Sequence, residues 1–385
     1  MKVALLHDYL NQLGGGERVL ETLIEIFPEA PIYTLLHDPE KTLNRFHDLV
    51  QKTSFLDIPF IRKYHRWFIP LMPLAVSSLK LNADYDLIIS DTAGYAKGIR
   101  VARNPSHPTS HTKHISYIHT PLRYAWEPEY INSKFKIQNS KLRNLILKPL
   151  LSALRKWDYK TAQKPDVLIA NSQFIADKIK KYYNRKATVI YPPVNTDNFF
   201  FEPRTSNLEP RTPYYLAVGR LMHYKRFDLI IEAFANLGLP LKIVGSGPEE
   251  KKIKNQSASR RTKIKNIEFL GNVSDDKLRG LYNEAQALIF PQVEDFGLVA
   301  AEAQACGLPV IAYAAGGALE IIENKKTGIF FQEQTSDAIV TAIKEFENKK
   351  FNPSINSGLN SRAEIAEKAK RFSKERFKKE FLDLI

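Results

Sequence analysis

The stretch from Phe290 to Ile322 reads FPQVEDFGLVAAEAQACGLPVIAYAAGGALEII. It is apolar enough for a protein core, yet it carries Glu294, Glu302 and Glu320 among four glycines. Glu294 and Glu302 stand eight residues apart. Were that interval helical throughout, they would be separated along its axis by about 12 Å. That exceeds the roughly 5–9.5 Å between the carboxyl groups of a glycosidase acid/base pair. The two glutamates are therefore not expected to share a reacting bond. They suit two hydroxyl-bearing groups held apart by a diphosphate, a sugar at Glu294 and a ribose at Glu302, which is the shape of a nucleotide sugar. Phe296, Gly297 and Leu298 begin the helix between them. Their amides can hold a phosphate oxygen, and Gly297 lets a ligand come close. Glu302 also reads as a charge near the start of a helix, favoured by the dipole. Its small neighbours Ala300, Ala301, Ala303 and Ala305 are what close packing requires.

VGRLMHYKR, residues 218–226, brings further cations to a strand end. Gly219 and Arg220 close the strand, and Lys225 and Arg226 open the next helix, a combination suited to phosphate. A solvated basic loop is the alternative. Gly14, Gly15 and Gly16 in LLHDYLNQLGGGERV stand between a strand and a helix. They could present amides to a phosphate or simply make a tight turn. Neither this loop nor VGSGPEE (244–250) completes a G-x-G-x-x-G fingerprint, so a nicotinamide dehydrogenase is poorly supported. His119, in SYIHTPLRYAWE, follows a strand directly and reads as catalytic or as structural. Arg123, Tyr124 and Trp126 beyond it could shape a polyol pocket or pack.

These residues need strands to end beside them and helices to start there. KVALLHDY (2–9), YDLIISD (85–91), KHISYIH (113–119) and PDVLIANS (165–172) are near-continuous aliphatic runs, as in parallel strands covered on both faces. GERVLETLIEIF (16–27) has a helical apolar face. After Pro192-Pro193 the pattern restarts with strands at 214–220, 241–247, 267–271, 287–292 and 308–314. Helices are expected at 225–237, 274–285 and 296–306. Two such arrays predict an α/β protein of two Rossmann-like, doubly wound domains. Residues 1–193 form the first, 194–365 the second, and 366–385 a helix returning to the first. The linker lies in the Pro-, Asn- and Thr-rich segment 189–215. Ligands of open α/β sheets sit beyond the carboxyl ends of the strands, so the expected site is a cleft between the two domains.

At 385 residues the chain exceeds one ordinary core. Its single cysteine, Cys306, excludes a disulfide framework and a cysteine metal site. The N-terminal stretch meets His7 and Asp8 too early for a secretory signal, and a reducing, cytoplasmic setting is expected. Net charge is +14, and it is uneven: residues 1–193 hold 28 Lys+Arg against 17 Asp+Glu, and the remainder 28 against 25. A basic first half calls for an anionic partner. Nucleic acid is not expected, because no recognised binding module with interleaved aromatic and basic residues is present.

Glu294 and Glu302 in an E-x7-E pattern, VGRLMHYKR, the glycines at 14–16 and GLPVIAYAAGGALEII together resemble the family-4 retaining glycosyltransferases of GT-B fold. The resemblance runs along essentially the whole chain. EDFGLVAAEA, YIHTPLRYAWE and HDYLNQLGGGERV are most similar to the bacterial O-antigen mannosyltransferase branch, which implies transfer of mannose from GDP-mannose; the alternatives are a UDP-sugar-dependent glycosyltransferase of the same fold or a non-catalytic nucleotide-sugar-binding protein. Gln304 departs from a frequent methionine. By this resemblance Arg220 and Lys225 hold the diphosphate, with Gly219 behind them. Glu294 and the amides of Phe296, Gly297 and Leu298 hold the sugar, and Glu302 holds the ribose. Gly15 and Gly16 approach the phosphate, and His119 lies against the sugar. The catalytic set is thus His119, Arg220, Lys225 and Glu294, acting with retention and without a metal or other cofactor. A lipid-linked or glycan acceptor follows. Two cationic stretches rich in apolar residues, 58–81 and 134–157, fit peripheral attachment to an anionic membrane surface, inside the plasma membrane. The alternative is a buried leucine face with a solvated lysine rim.

Overall fold

The aliphatic runs become buried parallel strands. The computed structural model describes every residue except 82–83, 102–111, 128–146, 204–212, 260–264 and 349–360 and, in part, 257–259, whose side chains are left aside. Much of the second cationic stretch, 134–146, lies outside the described residues. The chain divides into two units, Met1–Tyr191 with Glu380–Ile385, and Pro192–Lys379.

In the first unit seven parallel strands run in the order Val50–Thr53, Ile32–His37, Val3–Leu10, Leu87–Thr92, Lys113–Ile118, Val167–Ala170 and Thr188–Val189. The chain leaves the Val3–Leu10 strand toward one edge, then returns to its other side with Leu87–Thr92. In open α/β sheets a reversal of this kind is where ligands bind, beyond the carboxyl ends of the two strands. Leu6, Leu35, Ile88 and Met72 belong to the core on one face. Helix Gly15–Ile26 follows the first strand and buries Val19, Leu20 and Leu23.

The second unit repeats the plan with six parallel strands, Ile267–Gly271, Leu241–Val244, Tyr215–Val218, Leu288–Phe290, Val310–Tyr313 and Gly328–Phe331. Its order reverses between Tyr215–Val218 and Leu288–Phe290. Helix Phe227–Leu237 ends at Gly238 in the left-handed region (φ +69°) and packs Ile230, Ile231 and Phe234 into the core.

The C-terminal tract divides between the units. Helix Arg362–Ala369 begins with a capping box in which Ser361 and Glu364 satisfy each other's backbone amides. The Arg362 guanidinium donates to the carbonyls of Tyr282 and Ala285 at 2.8 and 2.9 Å. Val194 N–H donates to Phe372 O at 2.7 Å. Residues 361–379 thus pack within the second unit. Only the last six residues belong to the first, where Lys113 Nζ donates to the carbonyls of Leu384 and Ile385.

Candidate functional site

The carboxyl ends of the two central strands in the second unit carry the residues singled out by sequence. Gly219 ends Tyr215–Val218 with φ +148°, a conformation that side chains resist. Arg220 follows, exposed, and the chain makes a 3-10 turn over His223–Lys225 before helix Phe227–Leu237. Arg226 does not face an open anion site. Its guanidinium pairs with Asp228 at 3.2 Å and donates to Gln334 Oε1 at 3.1 Å, while Gln334 Nε2 donates to Pro291 O at 2.7 Å. This brace ties the turn to the end of the Leu288–Phe290 strand.

Three residues beyond that brace stands Glu294. The ammonium of Lys225 donates to its carboxylate, and both side chains are largely shielded, at 13% and 20% exposure. The residues expected to take a diphosphate and a sugar are therefore direct partners. The glycines of AAGGALEII hold this loop in place. A Cβ on Gly316 would fall 2.4 Å from Glu294 O, and one on Gly317 would fall 2.1 Å from Phe296 O. Gly317 N–H donates to Glu294 O at 2.9 Å. Two backbone segments thus lie directly against each other, which only glycine permits.

Helix Leu298–Ala305 starts from Gly297 at φ +112°. Its first amides lack carbonyl partners within the helix, as in any α-helix. Glu302 sits in its second turn and is only 3% exposed, between fully buried Ala301 and Ala303. Gln304, where a methionine is frequent, is buried and donates to Thr327 Oγ1 at 2.9 Å. The glycines of VGSGPEE have a packing role: a Cβ on Gly245 would lie 2.1 Å from Gly219 O, and one on Gly247 would lie 2.5 Å from Leu221 O.

In the first unit the strand ends bring together a charge cluster that sequence reading only partly found. His7 and Asp91 are register partners on adjacent strands. His7 Nδ1 lies 2.8 Å from Asp91 Oδ2. His119, just past the next strand, places Nε2 2.6 Å from Asp91 Oδ1, a charge contact rather than an aligned hydrogen bond. Glu17, buried on the helix after the glycine loop, lies 3.8 Å from His7 Nε2. Gly16 belongs to the same cluster: a Cβ there would lie 3.3 Å from His119 Nε2 and 3.4 Å from His7 Cε1. Gly15 opens the helix beside it.

Burial alone would keep both imidazoles neutral. The carboxylates of Asp91 and Glu17 outweigh it and push His7 up to about 10. His119 is raised in the same sense, against burial, chiefly by Asp91. Burial opposes ionisation of Asp91, but the two imidazoles hold it below the usual carboxylate range. The result is two cations interleaved with two carboxylates, with His119 slightly exposed at the strand ends.

His7, Asp91 and Glu17 were not singled out in the sequence, although His7 and Asp91 each stand near the end of an aliphatic run, the signal that drew attention to His119. Asp8 has a structural task. It accepts hydrogen bonds from Thr92 Oγ1 and the amides of Ala93, Tyr95 and Ala96, fixing the turn after the Leu87–Thr92 strand. Trp126 packs: its indole N–H donates to Asp158 at 2.7 Å, and its ring stacks on Tyr182 at 4.7 Å. Asp158 also accepts from Tyr183 and from fully buried Lys97.

Each unit matches a family model: Glycosyltransferase Family 4 over residues 13–198, and Glycosyl transferases group 1 over residues 198–372. An uncharacterized glycosyltransferase of Methanocaldococcus jannaschii, MJ1178, is 29% identical over 231 residues, which span 60% of this chain and 60% of the relative. Alr3699/HepE of Anabaena, in a crystal structure with UDP, superposes with a TM-score of 0.71 at 19% identity, over 100% of this chain and 99% of that one. Sucrose-phosphate synthase from Thermosynechococcus elongatus gives 0.72 at 18% identity, over 100% and 98%. At these identities the structural likeness is one of fold.

Proposed function

The chain belongs to the family-4 glycosyltransferases, with their GT-B fold of two Rossmann-like units, and we propose that it transfers a hexose from a nucleoside-diphosphate sugar with retention at the anomeric carbon. The observation that carries this reading is the Lys225–Glu294 pair at the strand-order reversal of the second unit, beside the helix start at Gly297. One partner is a cation for phosphate. The other is a carboxylate for sugar hydroxyls. In the chain alone they neutralise each other. A donor would draw them apart, with the ammonium moving to the diphosphate and the carboxylate to the hydroxyls.

Transfer breaks the bond between the anomeric carbon and the diphosphate oxygen, so negative charge grows on the leaving group. In the proposal Lys225, Arg220 and the helix-start amides of Phe296, Gly297 and Leu298 receive it, supplying charge that a metal ion would otherwise give. Glu302 holds the ribose, from a buried position on the same helix. With no side-chain nucleophile assigned, the acceptor hydroxyl attacks the face the diphosphate leaves, and its proton passes to the leaving phosphate.

GDP-mannose is the donor proposed, on the motifs shared with the mannosyltransferase branch, and a lipid-linked or glycan chain the acceptor. A UDP-sugar is the second reading, favoured by the UDP in the Anabaena structure. A thermal-shift screen of GDP-mannose, UDP-glucose, GDP and UDP separates them, because a bound donor raises Tm by mass action. Lys225→Ala should remove the shift from the sugar nucleotide and from the free nucleotide alike, and should abolish transfer. Glu294→Gln should remove the sugar nucleotide's advantage over the free nucleotide. No shift with any nucleotide, or full turnover in Lys225→Ala, refutes the assignment.

A further inference from the structure

Helix Phe227–Leu237 starts from an unusual residue. Its N-cap, Arg226, sits in the left-handed region at φ +56° and ψ +36°. Glycine adopts that conformation freely, whereas a Cβ is crowded there. Such a residue persists only where its surroundings over-determine it. For Arg226 they do. Its amide donates to His223 O at 3.3 Å, and its carbonyl accepts from Leu229 N–H at 3.1 Å. Nε and one terminal nitrogen of the guanidinium donate to the two carboxylate oxygens of Asp228, at 3.2 and 3.3 Å. The other terminal nitrogen donates to Gln334 Oε1 at 3.1 Å, and Gln334 Nε2 donates to Pro291 O at 2.7 Å. This orientation of the amide gives a partner to the guanidinium and to the carbonyl alike. Gln334 is itself anchored, because the next residue, Thr335, caps helix Ser336–Glu347 with its side chain.

These contacts close a ring. Lys225 precedes Arg226 in the chain, Glu294 follows Pro291 by three residues, and Lys225 and Glu294 meet directly. The two strand ends are therefore linked twice, once by the ion pair and once through Arg226, Gln334 and Pro291. In the function proposed above the donor separates the ion pair, and the second link is the one that remains. We propose that Arg226 is a positioning residue for donor binding and transfer: through Gln334 it holds the Lys225 turn and the Glu294 loop at the spacing the donor requires once their own contact is broken. It is not a phosphate ligand. The inference rests on the reading of Lys225 and Glu294 as donor-binding groups. Asp228 neutralises the guanidinium, which leaves little charge for a diphosphate. A planar fork with donors on two sides suits the task, and the point charge of a lysine ammonium does not reproduce it.

The test compares Arg226→Gly, Arg226→Lys, Gln334→Ala and the double variant Arg226→Gly with Gln334→Ala. Arg226→Gly suits the backbone conformation, so its Tm should stay close to that of the wild type. Each variant should lower kcat/KM for the nucleotide sugar by between about tenfold and a hundredfold, the scale on which misplacing a reacting group acts. The double variant should be no worse than either single one, because the two residues form one link. Arg226→Lys should not restore activity. Lys325, at φ +61° in the turn before Gly328–Phe331, offers the same backbone change away from the site, and Lys325→Gly should keep wild-type kcat/KM. Hydrogen exchange of the chain without nucleotide gives a readout apart from the reaction: amides in 223–226 and in 292–297 should exchange faster together in Arg226→Gly and in Gln334→Ala. Additive losses in the double variant, or rescue by lysine, make Arg226 a direct phosphate ligand and overturn the proposal. Unchanged exchange across 292–297, or an equal loss in Lys325→Gly, overturns it as well. Wild-type kcat/KM in Gln334→Ala beside an inactive Lys225→Ala refutes this proposal alone, whereas full turnover in Lys225→Ala refutes the donor-site reading and the proposal with it.

Discussion

Asp91→Asn tests the charge cluster of the first unit. Asparagine keeps the shape of a fully buried side chain but removes the carboxylate that faces His7 at 2.8 Å and His119 at 2.6 Å. In the folded chain His7 holds its proton up to about 10, whereas an unfolded histidine releases it near 6.5. That interval, at about 1.4 kcal/mol per pH unit, sets a ceiling of roughly 5 kcal/mol on the stability linked to this proton. Removing one partner of a buried pair costs about 3–5 kcal/mol, in the same range. Between those two pH values the folded state binds more protons than the unfolded one. Stability from His7 is therefore fully present below pH 6.5 and is lost as pH rises toward 10. His119, also raised, acts in the same direction. Asp91 is lowered, so its contribution is present above the ordinary carboxylate range and is lost as pH falls through and below that range. Burial lowers His114, in the same unit, to about 4, so its contribution grows as pH rises from about 4 to 6.5, and the wild-type first unit should be most stable near pH 6.5 and weaken steadily toward pH 10. In Asp91→Asn, His7 retains only Glu17 at 3.8 Å, and the alkaline slope should flatten. The difference between the two proteins should be largest near pH 6 and shrink toward pH 10. Urea unfolding followed by tryptophan fluorescence is the assay, because Trp67, Trp126 and Trp157 all lie in the first unit and report it separately from the second. NMR titration of the histidine ring protons gives the protonation directly. Parallel stability profiles for the two proteins, or a His7 that titrates near its ordinary value, would refute the reasoning.

Gly317→Ala should lower the Tm of the second unit by several degrees, since a Cβ 2.1 Å from Phe296 O displaces the loop bearing Glu294 at an overpacking cost of about 1–3 kcal/mol. It should also weaken donor binding. Gly280→Ala is its control: nothing lies within 4 Å of that Cβ, and in the middle of helix Asp275–Glu284 the change should add about 0.5–1 kcal/mol. Calorimetry of the two variants decides, and equal Tm values contradict the packing argument. Transfer should persist after dialysis against EDTA; complete loss that magnesium restores would show a metal supplying the charge assigned to Arg220 and Lys225.

The fold was legible wherever a strand is a continuous aliphatic run ending at an unusual residue. Val3–Leu10, Leu87–Thr92, Lys113–Ile118, Val167–Ala170 and the first five strands of the second unit in chain order announce themselves that way. Ile32–His37, a buried run interrupted by Thr34 and preceded by Pro31, did not, nor did the short strands Val50–Thr53, Thr188–Val189 and Gly328–Phe331. Thr188–Val189 fell at the start of a segment read as linker, and Gly328–Phe331 was passed over as a four-residue apolar run. Positions at strand ends were legible too, because chain order alone places them there. Pairings were not. Lys225 and Glu294 are 69 residues apart, and His7 and Asp91 are 84 apart, so only sheet register brings each pair into contact. The sequence also left the 58–81 segment open between core and surface. Its structure gives both answers, with Ile61 and Met72 on the inner side and Phe60 and Trp67 on the outer.

The glycines scattered among the carboxylates have a single physical explanation in both units. The ends of neighbouring parallel strands lie side by side, and the loops leaving them pass close against one another. At Gly317 the neighbour is the carbonyl of Phe296, and at Gly245 it is the carbonyl of Gly219. At Gly16 the neighbours are the rings of His7 and His119. A side chain at any of these positions would push apart the charged groups that the loops carry. Glu294 therefore reaches Lys225 because Gly316 and Gly317 let its loop close onto the next strand end, and the charge cluster of the first unit is compact because Gly16 leaves room for two imidazoles. The glycines need not touch a ligand to be indispensable to binding one. They set the spacing of the charges that would, and this is why a segment composed like a core can carry ionised side chains at its edge.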